Sequence, residues 1–165
     1  MNPFISPKNR WYGIKQTEKV ATALYARHYS SKKSNKNVSD WIKHGIAGPG
    51  EVITLITSDY KALFVWQKQK YSMSGQYGVN CAVFRNEGSV LSSQLILDAE
   101  EIAQNRWPGE RMFTYIDPSE VRSLNPGYCF QMAGWNYARD EFGKRKTTKR
   151  GLLIMEKIIV NENSH

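Results

Sequence analysis

The stretch GVNCAVFRNEGSVLSSQLILDAEEIAQNRW, residues 78–107, decides how this chain folds. Val79, Cys81 and Val83 alternate with Asn80, Ala82 and Phe84, the period of a strand. Arg85 to Val90 reads as a loop around Gly88. From Ser92 onward Leu95, Ala99, Ile102 and Ala103 recur at helical spacing, with Asp98, Glu100 and Glu101 on the other side. Strand, glycine loop and helix in this order form an anion cradle, because loop N–H groups and the first unsatisfied N–H groups of the helix converge on one point. A single glycine between strand and helix is also ordinary turn punctuation, so the rest of the chain has to decide between the two.

Upstream, residues 52–57, 62–70 and 78–84 are strand-like and joined by short connections, which predicts an antiparallel meander. Downstream, residues 111–118 read as a strand ending at Asp117 and Pro118. Strand, crossover helix and strand predict a parallel pair with ligands bound beyond the strands' C-terminal ends. Asp117 would stand at that mouth, as a catalytic carboxylate or as a turn-former. Residues 1–10, with Pro3 and Pro7, read as an irregular arm, and 11–15 as a short strand. A helix begins at Thr17, an N-cap, and carries Val20, Leu24 and His28 on one face. His28 is thus either a hydrogen-bonded core residue or a base. Residues 30–37 are a polar, basic loop, 38–44 a short helix with Trp41, and 45–50 a glycine turn. Near the C-terminus, Asn125 as N-cap, Pro126 at the first position and Gly134 past the end bound another short helix. Residues 136–141 and 151–160 make a final antiparallel pair around the basic loop 143–150, and 161–165 form a tail.

A chain of 165 residues, 41% apolar, suffices for one domain with a core, here 11–160. The expected class is mixed α/β (α+β): a mostly antiparallel central sheet with one parallel strand pair and flanking helices. No apolar run approaches the roughly 20 residues of a membrane span. The N-terminus lacks a signal-peptide core, and Cys81 and Cys129 lack Cys-x-x-Cys spacing, which together suggest a cytoplasmic setting. His28, His44 and His165 are too scattered for a metal site. Net charge is +8 and uneven. Bases dominate up to Lys43, acids dominate from Glu87 to Glu120, and Lys144, Arg145, Lys146, Lys149 and Arg150 form a second basic cluster. Such a distribution offers a positive surface to a polyanion, or simply solvated lysine faces.

The order of elements and two local motifs resemble the GNAT superfamily of GCN5-related acyltransferases, over roughly residues 11–160. Arg85-x-x-Gly88 matches the first two marks of that family's Arg/Gln-x-x-Gly-x-Gly/Ala pyrophosphate loop, while Val90 stands at the third, where a β-branched residue crowds a phosphate. Residues 130–135, ending in Gly134 and Trp135, are similar to the family's short helix ending in Gly-Phe. Phe130 stands where many members carry a tyrosine acid, and Tyr128 lies about 200° round the helix from it. The resemblance implies acetyl-CoA or another acyl-CoA as donor, held by Arg85, Gly88, Ser92, Ser93 and Tyr128. It implies a base from Asp117 or His28, and an acid from Ser92, Ser93 or Tyr115. Within the superfamily the chain looks most like phage-encoded proteins of the Mom type. That likeness implies transfer to the exocyclic amine of adenine in DNA as an anti-restriction device, and the lack of a long apolar run adds the expectation of no membrane partner. Lys32, Lys33, Lys36, Lys144, Arg145, Lys146, Lys149 and Arg150 would then grip phosphates, and Tyr29 or Trp41 would receive a flipped base. Two alternatives remain open: the same fold acting on aminoacyl-tRNA, a protein or a small amine, and a non-catalytic DNA-binding module, which Val90 and Phe130 favour.

Overall fold

The computed structural model describes residues 5–28, 31, 35–69, 75–120 and 127–160. The elements in chain order are β1 (Trp11–Ile14), α1 (Lys19–Ala26), α2 (Val38–His44), β2 (Gly50–Thr57), β3 (Ala62–Gln69), β4 (Val79–Asn86), α3 (Ser92–Arg106), β5 (Met112–Ile116), α4 (Tyr128–Met132), β6 (Asn136–Tyr137) and β7 (Leu153–Lys157). The strands form a seven-stranded sheet in the order β1-β2-β3-β4-β5-β7-β6. All neighbours are antiparallel except β4 and β5, so the expected mixed class and its parallel pair are both present.

Side-chain alternation sends two apolar sets to opposite faces of the sheet. Leu55, Phe64, Trp66, Cys81, Met112, Ile116 and Met155 pack with α3 and with Phe130 of α4. Ile56, Leu63, Val65 and Val83 pack with Ala21, Leu24, Tyr25 and Trp41 of α1 and α2. Three indoles fasten the α3 side. Trp11 Nε1 donates to Leu95 O at 2.8 Å, Trp66 Nε1 to Ala99 O at 2.9 Å, and Trp135 Nε1 to the Glu100 carboxylate at 3.2 Å. Each satisfies the single donor of a large buried ring and holds it in one orientation. The arm before β1 is laid along α3: Asn9 Nδ2 donates to Asp98 O, Arg10 pairs with the Asp98 carboxylate, and the Ser6 N–H donates to Glu101.

Several sequence-based boundaries move. β4 runs through Asn86, because Arg85 and Asn86 pair with Leu63 and Ala62 of β3, so Arg85 is a strand residue and not part of the loop. The N-cap of α1 is Glu18, not Thr17, and it makes no side-chain cap. Helix α4 starts at Tyr128 behind Gly127, whose φ of +80° and closeness to Met155 Sδ leave no room for a side chain. Asn125 and Pro126 lie outside the described residues. β6 has only two residues, since the chain turns away at Ala138 into a double loop bridged at Arg139–Arg145 and Thr147–Leu153. Glu100, expected on the solvent side of α3, is 2% exposed: Lys157 Nζ reaches it at 2.6 Å and also donates to Ala133 O at 2.8 Å. Burial raises the Glu100 pKa, against the opposing pull of Lys157 and Trp135.

Candidate functional site: a mouth between parallel strands and a basic groove

The parallel pair is short. β4 and β5 are in register only at Val79–Met112, Asn80–Phe113 and Cys81–Thr114, where the Thr114 hydroxyl donates to Cys81 O at 2.9 Å. Just beyond, Val65 opposes Val83 while Trp66 opposes Cys81, so Ala82 is an extra residue that bulges β4. From Ala82 to Asn86 on β4, and from Tyr115 on β5, the two strands are no longer paired with each other. Their C-terminal ends, unpaired with each other, form the mouth, the position where sheets with a parallel crossover take ligands.

On the α3 face, helix α3 enters this region with Leu91 in the N-cap position and no side-chain cap, so its first-turn N–H groups, including those of Ser92 and Ser93, point out unsatisfied by a cap. The loop before it is held by one residue. Asn86 Nδ2 donates to Val90 O at 2.7 Å and to Ser92 Oγ at 3.0 Å, while Asn86 Oδ1 accepts the Gly88 N–H at 2.9 Å. Gly88 lies against Lys61 and Asp59 of the β2–β3 turn. Val90, expected to crowd a phosphate, instead packs against the α3-side core. Tyr128 on α4 is exposed, and Phe130 is buried edge-on against Phe84 and Trp135.

Arg85 lies elsewhere. With Leu63 and Val83 it belongs to the α1 side of the sheet, and its Nε donates to Glu87 at 2.8 Å. Arg27 makes a two-pronged pair with the same carboxylate at 2.7 and 2.9 Å, and these cations hold the Glu87 pKa down at about 2. His28 sits next to them, 8% exposed, stacked on Tyr25 and bonded to the Phe84 carbonyl. Burial first, and the Arg85 charge second, lower its pKa to about 4, so the imidazole is neutral at pH 7. His28 therefore ties the end of α1 to β4. Asp117, also buried, accepts hydrogen bonds from the Ser119 N–H at 3.0 Å and the Ser119 hydroxyl at 2.6 Å, so it builds the turn after β5. Trp41 is a core residue, edge-on to Tyr25 with ring centroids 4.7 Å apart, which removes it as a platform for a flipped base. Tyr29, Lys32 and Lys33 lie outside the described residues, and Lys36 is exposed just before α2.

The other side of the mouth opens into a groove of about 850 Å³ that the sequence did not disclose. Its floor is Gln67, Tyr115 and Ile154, and its walls include Pro49 on one side and Thr147 to Arg150 on the other. Tyr115 is the first β5 residue past the last parallel pair and so stands where mouth and groove meet. Gln67 Nε2 donates to Pro49 O at 3.2 Å, and its strand neighbour Asn80 buries an amide oxygen with no partner among the described residues. Lys144, Arg145, Lys146, Lys149 and Arg150 are all exposed, so the basic cluster expected from the sequence lies on the surface beside this groove. Arg145 stacks on the Tyr137 ring at 3.8 Å. Among the described residues no group of three His, Cys, Asp or Glu could hold a metal ion, and no helix is long and apolar enough to cross a membrane. Sequence comparison finds no family model and no curated protein that matches this chain.

Proposed function

We propose that the chain is a GNAT-like acyltransferase that modifies nucleic acid, acting on the exocyclic amine of adenine in DNA. The observation that carries this reading is the parting of β4 and β5 between an uncapped helix start on one face and a basic groove on the other. In this reading donor and acceptor meet end to end between the unpaired strand ends, from opposite faces of one sheet, which supplies the proximity that acyl transfer needs. The resemblance to the superfamily adds the donor class. When bound, an acyl-CoA supplies an activated thioester carbonyl. Residues of this chain fit it through the first turn of α3, where the Ser92 and Ser93 N–H groups suit a pyrophosphate, and through the exposed Tyr128 ring. Arg85 joins them only if it leaves Glu87.

On the acceptor side, the basic cluster from Lys144 to Arg150 holds backbone phosphates, and the groove receives the base. In this reading Tyr115, which lines the groove at the junction, gives a proton to the departing thiolate. On the same reading Asp117, just past it, takes the proton of the attacking amine while it keeps the Ser119 N–H and hydroxyl as partners. The amine nitrogen forms the new bond to carbonyl carbon as the carbon–sulfur bond breaks, and the thiol leaves. The test is to digest DNA from cells expressing the protein and to weigh the nucleosides. A heavier deoxyadenosine that disappears with Lys149→Glu/Arg150→Glu supports the reading, and unmodified deoxyadenosine at high expression refutes it.

A further inference from the structure

The segment after β6 ends in a side chain whose exposure nothing in the catalytic account uses. Phe142 is 86% exposed, the most exposed of the large hydrophobic residues described. It is not on a loose strand of chain. Asp140 Oδ1 accepts the N–H groups of both Phe142 and Lys144 at 2.9 Å, and the Asp140 N–H donates to Lys144 O at 2.8 Å. The Gly143 N–H returns to Asp140 O at 3.0 Å, and Arg139 Nη1 donates to Gly143 O at 2.8 Å. Below the tip, Arg139 and Arg145 form an antiparallel bridge, and the Lys146 N–H donates to Ala138 O at 2.8 Å. The backbone of the tip is thus cross-bonded, and the phenyl ring stands out in water.

A lone aromatic ring in solvent loses about 2 kcal/mol relative to burial, so a rigid mount for it calls for something that covers it. The surroundings name the chemistry. From Arg139 to Arg150 there are six cations against Asp140 and Glu141, and Phe142 lies in the turn that the Arg139–Arg145 bridge closes. A hydrophobic ring on a rigid cationic mount is complementary to a polyanion with stacked apolar bases inside it, and proteins that open base steps use such wedges. The same double loop continues into Thr147 to Arg150, which wall the groove. One structural unit therefore carries a ring at its tip and, in its second half, the residues that wall the groove.

We propose that Phe142 is a wedge that enters the base stack of duplex DNA, filling the space a base leaves when it swings into the groove. The proposal rests on the nucleic-acid reading above and adds a residue that unstacks the duplex. The charges of the loop give affinity without sequence preference, and the ring converts part of that affinity into local opening of the helix.

The experiment uses the full chain and a duplex oligonucleotide with 2-aminopurine in place of one adenine, whose fluorescence rises on unstacking. Wild type should bind with a steep salt slope and raise the fluorescence. Phe142→Ala should keep the slope, bind about tenfold more weakly and lose most of the rise, and Phe142→Trp should restore it. Because the ring makes no core contact, Phe142→Ala should match wild type in thermal unfolding. If wild type binds with its salt slope but Phe142→Ala gives the same fluorescence and affinity, the wedge is wrong and the proposed function stands. If wild type shows no salt-dependent DNA binding, both fall. A DNA-free dimer that dissociates on Phe142→Ala would also overturn the wedge, since a second copy would then be what covers the ring.

Discussion

Replacing Lys157 with methionine removes the cation from the most deeply buried carboxylate of the α3 face. Glu100 is 2% exposed and has three attachments to its surroundings: α3 itself, the Lys157 ammonium at 2.6 Å and the Trp135 indole at 3.2 Å. Without Lys157 the charged carboxylate keeps one neutral donor, and Ala133 O loses its 2.8 Å partner. Removing one member of a buried pair costs about 3–5 kcal/mol. The Lys157 side chain is 21% exposed, so water partly reaches the gap and the lower end, about 3 kcal/mol, applies. For a chain of this size that lowers the unfolding midpoint by roughly 6–12 °C. The loss depends on pH. Burial already raises the Glu100 pKa, and losing Lys157 raises it further. The folded variant then holds a proton that the unfolded chain has released, so the penalty is full above the folded pKa and shrinks as pH falls toward the unfolded carboxylate value. Urea unfolding followed by tryptophan fluorescence at pH 8 and pH 5 measures this. Lys157→Met should be far weaker at pH 8 than at pH 5 relative to wild type, and Glu100→Gln/Lys157→Met should recover more than half of the loss. A Lys157→Met variant within about 0.5 kcal/mol of wild type at pH 8 would refute the reasoning.

His28 gives the opposite pH signature. Its pKa is about 4 in the folded chain, below the unfolded value, so its contribution is complete above pH 6.5 and is lost as pH falls from there toward 4, by up to about 3 kcal/mol. Stability of wild type measured across that range should fall more steeply than that of His28→Gln, and parallel curves would contradict the assignment. Asn86→Ala removes the three hydrogen bonds that shape the loop before α3. It should raise KM for acetyl-CoA about tenfold while changing kcat by less than a factor of three, measured by thiol release. An unchanged KM would mean that this loop does not hold the donor.

The layers of the fold were legible because their periods are clean. Alternation in 78–84 and the helical recurrence of Leu95, Ala99 and Ala103 each describe a face, and a face is a local property of sequence. What was not legible depends on partners far along the chain. Arg85 and Asn86 look like loop residues, and only pairing with Leu63 and Ala62 makes them strand. Glu100 looks like a solvent residue, and only Lys157 on β7 and the Trp135 indole make its burial tolerable. The same holds for the site. Ser92 at the helix start and the basic cluster from Lys144 to Arg150 were readable, the first as strand-loop-helix order and the second as charge density. The groove was not, because Pro49, Gln67, Tyr115 and Ile154 come from four separate segments and none is unusual alone. Phe142 carried one local signal, an aromatic residue beside glycine in a charged loop, which shows neither how rigid the tip is nor how far the ring stands out.

The most direct measurement of the central claim combines purified protein, acetyl-CoA labelled in the acetyl group and duplex DNA, followed by digestion and mass analysis of the nucleosides. The account predicts deoxyadenosine heavier by one acyl group, an equal yield of free coenzyme thiol, and loss of both at high salt, where the Lys144 to Arg150 cluster no longer holds phosphates. Label that stays on the coenzyme, or that appears only on protein lysines or small amines while every nucleoside keeps its mass, would contradict it.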